Sequence, residues 1–462
     1  MKMKKYIKSI ILTTISIGFL SSCQSELDNF NVSPNSPTIT TPSLLLASIE
    51  VSTFSNHTSG LNRNANIFSQ HLAGTDIGQL GPVAKYIVTE ENVNNEWNTI
   101  YNTTLMSGYV LNKRFATSHP YYNGIAQVLT AVNLAYVTDM FGDVPFDEAF
   151  KAEEGIKSPK YNTQKEIYER LQTTLDKAIA NLNKPEASNA TLPSADDFIF
   201  NGDPEKWIKT AYVLKARFAL RLTQVDPNAA QKALDYINAS GISSNNDDMN
   251  TFFTGKANEL NQWNAYNVTR VNYLKMGKTF VDYLTVSNDP RKTFLVAKDK
   301  SGNYSGNAPE DQTSVNTSYI GSAVASADSN VGIVTYSEAK FIEAEAKFRL
   351  NDLTGAKSAF KIAVQSSILK ITKTPAQATF VDNVTAIVSL ENIIQQKYNA
   401  LFLTMEPYND YRRTGFPVLV PNQNATVKAI PLRLPTPSDE RNYNKNATVV
   451  SNVTTNVWWD KN

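Results

Sequence analysis

Few residues in this 462-residue chain have the types that metal or nucleophilic chemistry needs. There are three histidines, His57, His71 and His119, and none has a second histidine at helical spacing, so no His-Glu-x-x-His zinc helix is present. A single cysteine, Cys23, excludes a disulfide within one chain and a cysteine-rich zinc site. No Gly-x-Ser-x-Gly elbow presents a serine nucleophile, and no glycine-rich loop carries a lysine toward phosphates. Carboxylates remain, because glycoside hydrolysis needs only two of them about 5–10 Å apart. Glu338, Glu343 and Glu345 cluster on one helical stretch; Asp139, Asp143, Asp147 and Glu148 cluster around Phe141-Gly142-Asp143-Val144-Pro145. Glu343 and Glu345 are two apart and so face different sides of a helix. That placement suits ion pairs with neighbouring helices better than a shared acid–base site. The sequence therefore reads as non-enzymatic, with no cofactor and no metal.

Aromatic residues outside the helices are the stronger signal. The chain has 21 Phe, 21 Tyr and 5 Trp. Trp263 and Tyr266 lie in Asn261-Gln262-Trp263-Asn264-Ala265-Tyr266-Asn267, where amides surround the rings. Flat apolar faces can stack on sugar rings, and amides can bond hydroxyls as donor or acceptor. Tyr86, Tyr304 and Tyr319 sit in similar polar settings.

The elements that must position these loops are helices with a 3.6-residue apolar period. One run carries Trp97, Ile100, Tyr101, Leu105 and Tyr109; a second carries Ile125, Val128, Leu129, Val132 and Tyr136. A third opens with the capping-box pattern Thr163-Gln164-Lys165-Glu166. Asp203-Pro204 and Asp226-Pro227 each pair an N-cap residue with proline at the first helical position. Further helices are expected over 335–350, 354–368 and about 390–404. Several pair through short turns, and Ala344, Ala356, Phe360 and Ala363 match the small and aromatic packing positions of a tetratricopeptide repeat. Long polar stretches over about 73–96, 183–202, 240–270, 285–330 and 405–462 carry Trp and Tyr, which argues for order and function. No Pro- or Gly-rich linker divides the chain.

The N-terminus points to a compartment. Lys2, Lys4, Lys5 and Lys8 precede an apolar run, Ile10–Leu20, too short for a spanning helix, which needs about 20 residues. This is a secretory signal pattern. Leu20-Ser21-Ser22-Cys23 resembles the bacterial lipobox, so residues 1–22 are expected to be removed and Cys23 to be lipidated. Residues 23–42 read as a polar tether and 43–462 as one domain. The first 22 residues hold four lysines and no acid, leaving the remainder at −3. That balance argues against a nucleic-acid partner.

The ordered motifs resemble the SusD/RagB family of outer-membrane nutrient-binding lipoproteins, in its SusD-like branch. The likeness rests on Leu27 to Pro37, on Tyr136-Val137-Thr138-Asp139-Met140-Phe141-Gly142-Asp143-Val144-Pro145-Phe146, and on Trp207 leading into Leu214–Arg221. It continues through Tyr336–Ala346, Gln396-Lys397-Tyr398, Tyr411–Pro417, Ile430–Pro435, Glu440 and Trp458-Trp459-Asp460. The resemblance implies a mostly α fold, with about four tetratricopeptide-like pairs as scaffold and an irregular, loop-rich ligand layer. It implies a cell-surface lipoprotein that binds a glycan or other nutrient, delivers it to a SusC-like TonB-dependent transporter, and hinges over that barrel. Arg412, Arg413 and Arg433 are expected to pair with helix carboxylates. The expected ligand residues are Gln79, Tyr86, Trp263, Asn264 and Tyr266, from the 70–96 and 252–273 regions. A surface hydrolase, and a binder of peptides or another nutrient, are the rival readings.

Overall fold

The computed structural model describes residues 40–462. The expected signal sequence, Cys23 and all but the last three residues of the expected tether lie outside the described residues. Helix α1 (Pro42–Asn56) begins with proline in its first turn, and the Thr41 hydroxyl accepts a bond from the Leu44 N–H. Helix α2 (Gly60–Phe68) follows. A short helix Asn94–Thr99 and a π-turn Ile100–Leu105 then run into α3 (Met106–Phe115).

Helix α4 (Pro120–Phe141) is buried along its whole length, which suits a sequence apolar on every face. It stops at Gly142, whose φ of +81° and close Arg433 guanidinium leave no room for a side chain. Helix α5 (Gln164–Leu182) carries the expected capping box between Thr163 and Glu166. Helix α6 (Pro204–Arg221) is capped by Asp203, which accepts from the Glu205 and Lys206 N–H groups. The next start signal lies off position. Asp226 accepts from the Asn228 N–H in a turn, and α7 (Ala229–Ser240) begins beyond it. Asp-Pro here shapes the turn rather than the first helical residue.

Helices α8 (Gln262–Thr269) and α9 (Lys278–Val286) belong to the long insertion that follows. Helices α10 (Tyr336–Arg349), α11 (Leu353–Thr372), α12 (Leu390–Ala400) and α13 (Glu406–Thr414) complete the scaffold. The pairs α4–α5, α6–α7 and α10–α11 pack in succession, α5 against α6 and α7 against α10. Helix α1 packs on α3 and α4 as a fourth pairing. Ala344, Ala356, Phe360 and Ala363 are all buried where α10 meets α11, as their small and aromatic types required.

Three two-stranded antiparallel ladders pin the loops: β1 (Leu72–Gly74) with β5 (Leu274–Met276), β2 (Val144–Pro145) with β3 (Tyr161–Asn162), and β4 (Met249–Asn250) with β6 (Gly332–Val334).

Buried ion pairs tie the helices together. Arg217 forks onto Glu338 with two bonds of 2.6 Å, Arg221 reaches Glu406 at 2.5 Å, and Arg413 holds Glu345 at 2.5 and 2.8 Å and Asp410 at 2.7 Å. Asp139 accepts from the Tyr168 hydroxyl at 2.6 Å and from Trp459 Nε1 at 3.1 Å. Arg413 therefore pairs with helix carboxylates as expected, but Arg412 and Arg433 do not. Arg412 donates to the carbonyls of Asp139 and Leu432, and Arg433 to that of Phe141. They finish the C-terminal carbonyls of α4 at Asp139 and Phe141, which need donors once the helix ends.

Candidate ligand-binding site

The loop layer opens one concave, ring-lined space of about 500 Å³. Its floor is α1, which presents Val51, Phe54 and Ser55. Its aromatic lining is completed by Phe198, in the segment before α6, and by Phe252 and Phe253, just after β4. Phe198 and Phe252 are 38% and 47% exposed, and their rings lie nearly parallel, at 16°, with centroids 6.4 Å apart. Phe253 turns its edge to Phe54, at 6.2 Å and 64°. The rim is polar, with Thr254, Asn258, Glu259 and Gln262.

The rings are held by their backbones. The Phe253 N–H donates to Asn330 Oδ1 at 3.0 Å. The Phe198 N–H donates to Glu50 Oε2 at 2.7 Å. Glu50 is fully buried beneath the groove; burial, and then the adjoining Asp197, push its carboxyl up to about 10, so it stays protonated. Asp197 is also buried, and its oxygens accept from the Ile199, Phe200 and Gly202 N–H groups and from Trp207 Nε1. This pair braces the wall. Both carboxyls are sealed from the groove, so neither meets the requirement that a hydrolase's acid and base reach the sugar. The carboxylates singled out in the sequence are likewise occupied: Glu338 and Glu345 by arginines, Glu343 by Lys340 and Lys347, Asp147 by Arg170. Among the described residues no group of three His, Cys, Asp or Glu side chains could hold a metal.

The two regions expected to supply ligand residues do meet. The β1–β5 ladder joins them, the Thr75 N–H donates to the Tyr273 carbonyl at 3.1 Å, and Gly78 lies flat on the Tyr273 ring. The named side chains, however, mostly face inward. Trp263 is 0% exposed and packs in the main core, so it offers no free face for stacking. Tyr266 is buried, and Tyr86 is buried with φ of +62°, its hydroxyl accepting from the Asn422 N–H. Asn264 donates to the Ala325 carbonyl at 3.0 Å. Asn261 caps α8 and donates to the Val324 and Ser329 carbonyls. The amides around Trp263 thus satisfy loop backbone rather than await hydroxyls. Gln79 alone of the five is exposed, just before a short helix, Leu80–Ala84.

Sequence reasoning missed Phe198, Phe252 and Phe253. The signal was present in Thr251-Phe252-Phe253-Thr254-Gly255: adjacent rings in extended chain point to opposite sides, so a scaffold can bury only one of them.

A family model described as "SusD-like_2: Starch-binding associating with outer membrane" matches residues 34–437. Among solved structures, a SusD/RagB family protein from Bacteroides thetaiotaomicron is 25% identical with a TM-score of 0.76, covering 92% of this chain and 99% of that one. A protein described as chitin-binding is 24% identical with a TM-score of 0.78, over 91% and 100% of the two chains. A chitin-binding SusD homolog from Flavobacterium johnsoniae is 21% identical with a TM-score of 0.76, over 91% and 98%. No curated protein matches the sequence.

Proposed function

Because the chain belongs to the SusD-like family of starch-binding proteins that associate with the outer membrane, we propose that it is a cell-surface lipoprotein that captures an oligosaccharide in the groove lined by Phe198 and Phe252 and passes it to a SusC-like TonB-dependent transporter. The observation that carries this reading is the pair of near-parallel, half-exposed rings over a cavity with a polar rim. Sugar rings have apolar faces and hydroxyl edges. The phenylalanines desolvate against the faces, while Asn258, Glu259 and Gln262 bond the edges. The chitin-binding relatives make an N-acetylated sugar a natural first candidate, since an acetamide methyl suits an apolar floor. The mechanism is capture without bond cleavage. Cys23 supplies the lipid anchor, and two or more acyl chains hold where one does not. Among the described residues no helix is long and apolar enough to cross a membrane, which is compatible with anchoring by lipid.

Affinity electrophoresis tests the reading, with soluble starch, glycol chitin and other soluble polysaccharides cast into native gels. At least one should retard the protein, and Phe252→Ala should run free while melting at the same temperature. Undiminished retardation of Phe252→Ala would remove the groove from consideration.

A further inference from the structure

Two arginine guanidiniums converge on one tyrosine ring of α8. The guanidinium of Arg63, from α2, lies 4.3 Å from the centroid of the Tyr266 ring, and that of Arg270, at the end of α8, lies 5.6 Å from the same centroid. Among the described residues neither arginine has an ion pair. The Arg63 guanidinium makes no hydrogen bond, and that of Arg270 makes only a 3.5 Å contact with Thr269 Oγ1. The contrast with Arg217, Arg221, Arg291 and Arg413, each joined to a carboxylate, is sharp.

Glu96 is the acid whose charge Arg63 feels, yet it forms no ion pair; it lies against Gly60 in the first turn of α2. The hydroxyls of Tyr266 and Tyr136 are buried without a partner, on side chains more than nine-tenths buried. Burial pushes both phenols up, and the Arg63 guanidinium pulls both the other way. Two guanidiniums that converge on one ring without an ion pair repel each other, and an anion set between them would relieve that repulsion. Planar guanidinium forks match carboxylate and sulfate oxygens.

We propose that Arg63 and Arg270, stacked on the Tyr266 ring, form an anion subsite that takes the carboxylate or sulfate of an acidic oligosaccharide. The inference rests on the reading that the phenylalanine groove binds an oligosaccharide. Gln262 lines that groove and Tyr266 follows it by four residues on the same face of α8, about 6 Å along. A single oligosaccharide can therefore lay one unit in the groove and its charged neighbour against the arginines.

The test is a glycan array of neutral, uronate-bearing and sulfated oligosaccharides, probed with wild type, Arg63→Gln and Arg270→Gln. Arg270 is exposed, so its variant should fold normally; Arg63→Lys provides a second, charge-retaining change at the more enclosed position. The expected result is preferential binding of charged members, weakened at least tenfold in either Gln variant and weakened again as salt rises. Whether uronate or sulfate members dominate identifies the anion. Binding confined to neutral members and unchanged in Arg270→Gln would overturn the subsite while leaving the groove reading intact. A blank array would instead contradict the oligosaccharide reading. Titration with sodium glucuronate and sodium sulfate then decides the subsite: a saturable tyrosine fluorescence change that is lost in Arg63→Gln supports it, and no change overturns it.

Discussion

At the scale of single residues, the aromatic side chains divide by what lies behind them. Trp263 and Tyr266 were legible as important because rings beside amides are unusual in a loop, but sequence could not say which way they point. Their amides turned out to be spent on the α8 cap and on carbonyls near residue 325. Trp263→Ala should therefore act as a core deletion, costing about 3–5 kcal/mol and lowering the melting temperature before any effect on ligand is considered. Phe252→Ala should do the reverse, because its ring is half exposed. Glu50 offers a separate check. Its ordinary value is 4.5 and burial lifts it to about 10 in the fold, so the folded state holds a proton that the unfolded state releases. That stability is fully present below pH 4.5 and is lost as pH rises toward 10. Glu50→Gln should melt higher than wild type at pH 8–9 and show a smaller difference near pH 4.5, measured by calorimetry across pH.

At the scale of elements, start signals were readable wherever a side chain caps the helix it precedes. Thr163, Glu166 and Asp203 do this, and their helices begin where expected. Asp226 caps a turn instead, and its helix starts later, since Asp-Pro suits both. The small residues between α10 and α11 marked a close helix contact correctly, because only small side chains permit it. The loop layer was harder. Its order comes from two- and three-residue ladders and side-chain bonds to backbone, neither of which has a periodic pattern. The buried pair Arg413–Glu345 joins α13 to α10, and burial lowers neither partner's charge because each neutralises the other: Glu345 is held below its usual range by Arg413 against the cost of desolvation. Glu345→Ala should leave Arg413 with one acid fewer and cost about 3–5 kcal/mol in a denaturant titration. The same depressed carboxylate makes this contact weaken as pH falls below its ordinary value of 4.5.

At the scale of the molecule, fold and family were legible because motifs spread from the 30s to the end of the chain keep one order, and many of their residues serve architecture: Asp139, Glu338, Arg413 and Trp459 are all buried. The ligand site was only partly legible for the complementary reason. A scaffold constrains which residues pack, and leaves open which rings stand free. The proposed outward placement is tested at the N-terminal motif: Cys23→Ser should abolish labelling with a palmitate analogue and release the protein from the membrane fraction, and wild type should co-purify with a SusC-like transporter. The proposed role of the phenylalanine groove is capture without cleavage. Calorimetric titration of wild type and the Phe198→Ala/Phe252→Ala double variant with the best oligosaccharide tests it most directly, with the sugar recovered and sized afterwards. Wild type should bind saturably, an equally stable variant should lose at least tenfold in affinity, and the ligand should be recovered at its original length. Equal binding by both proteins, or shortened products, would contradict it.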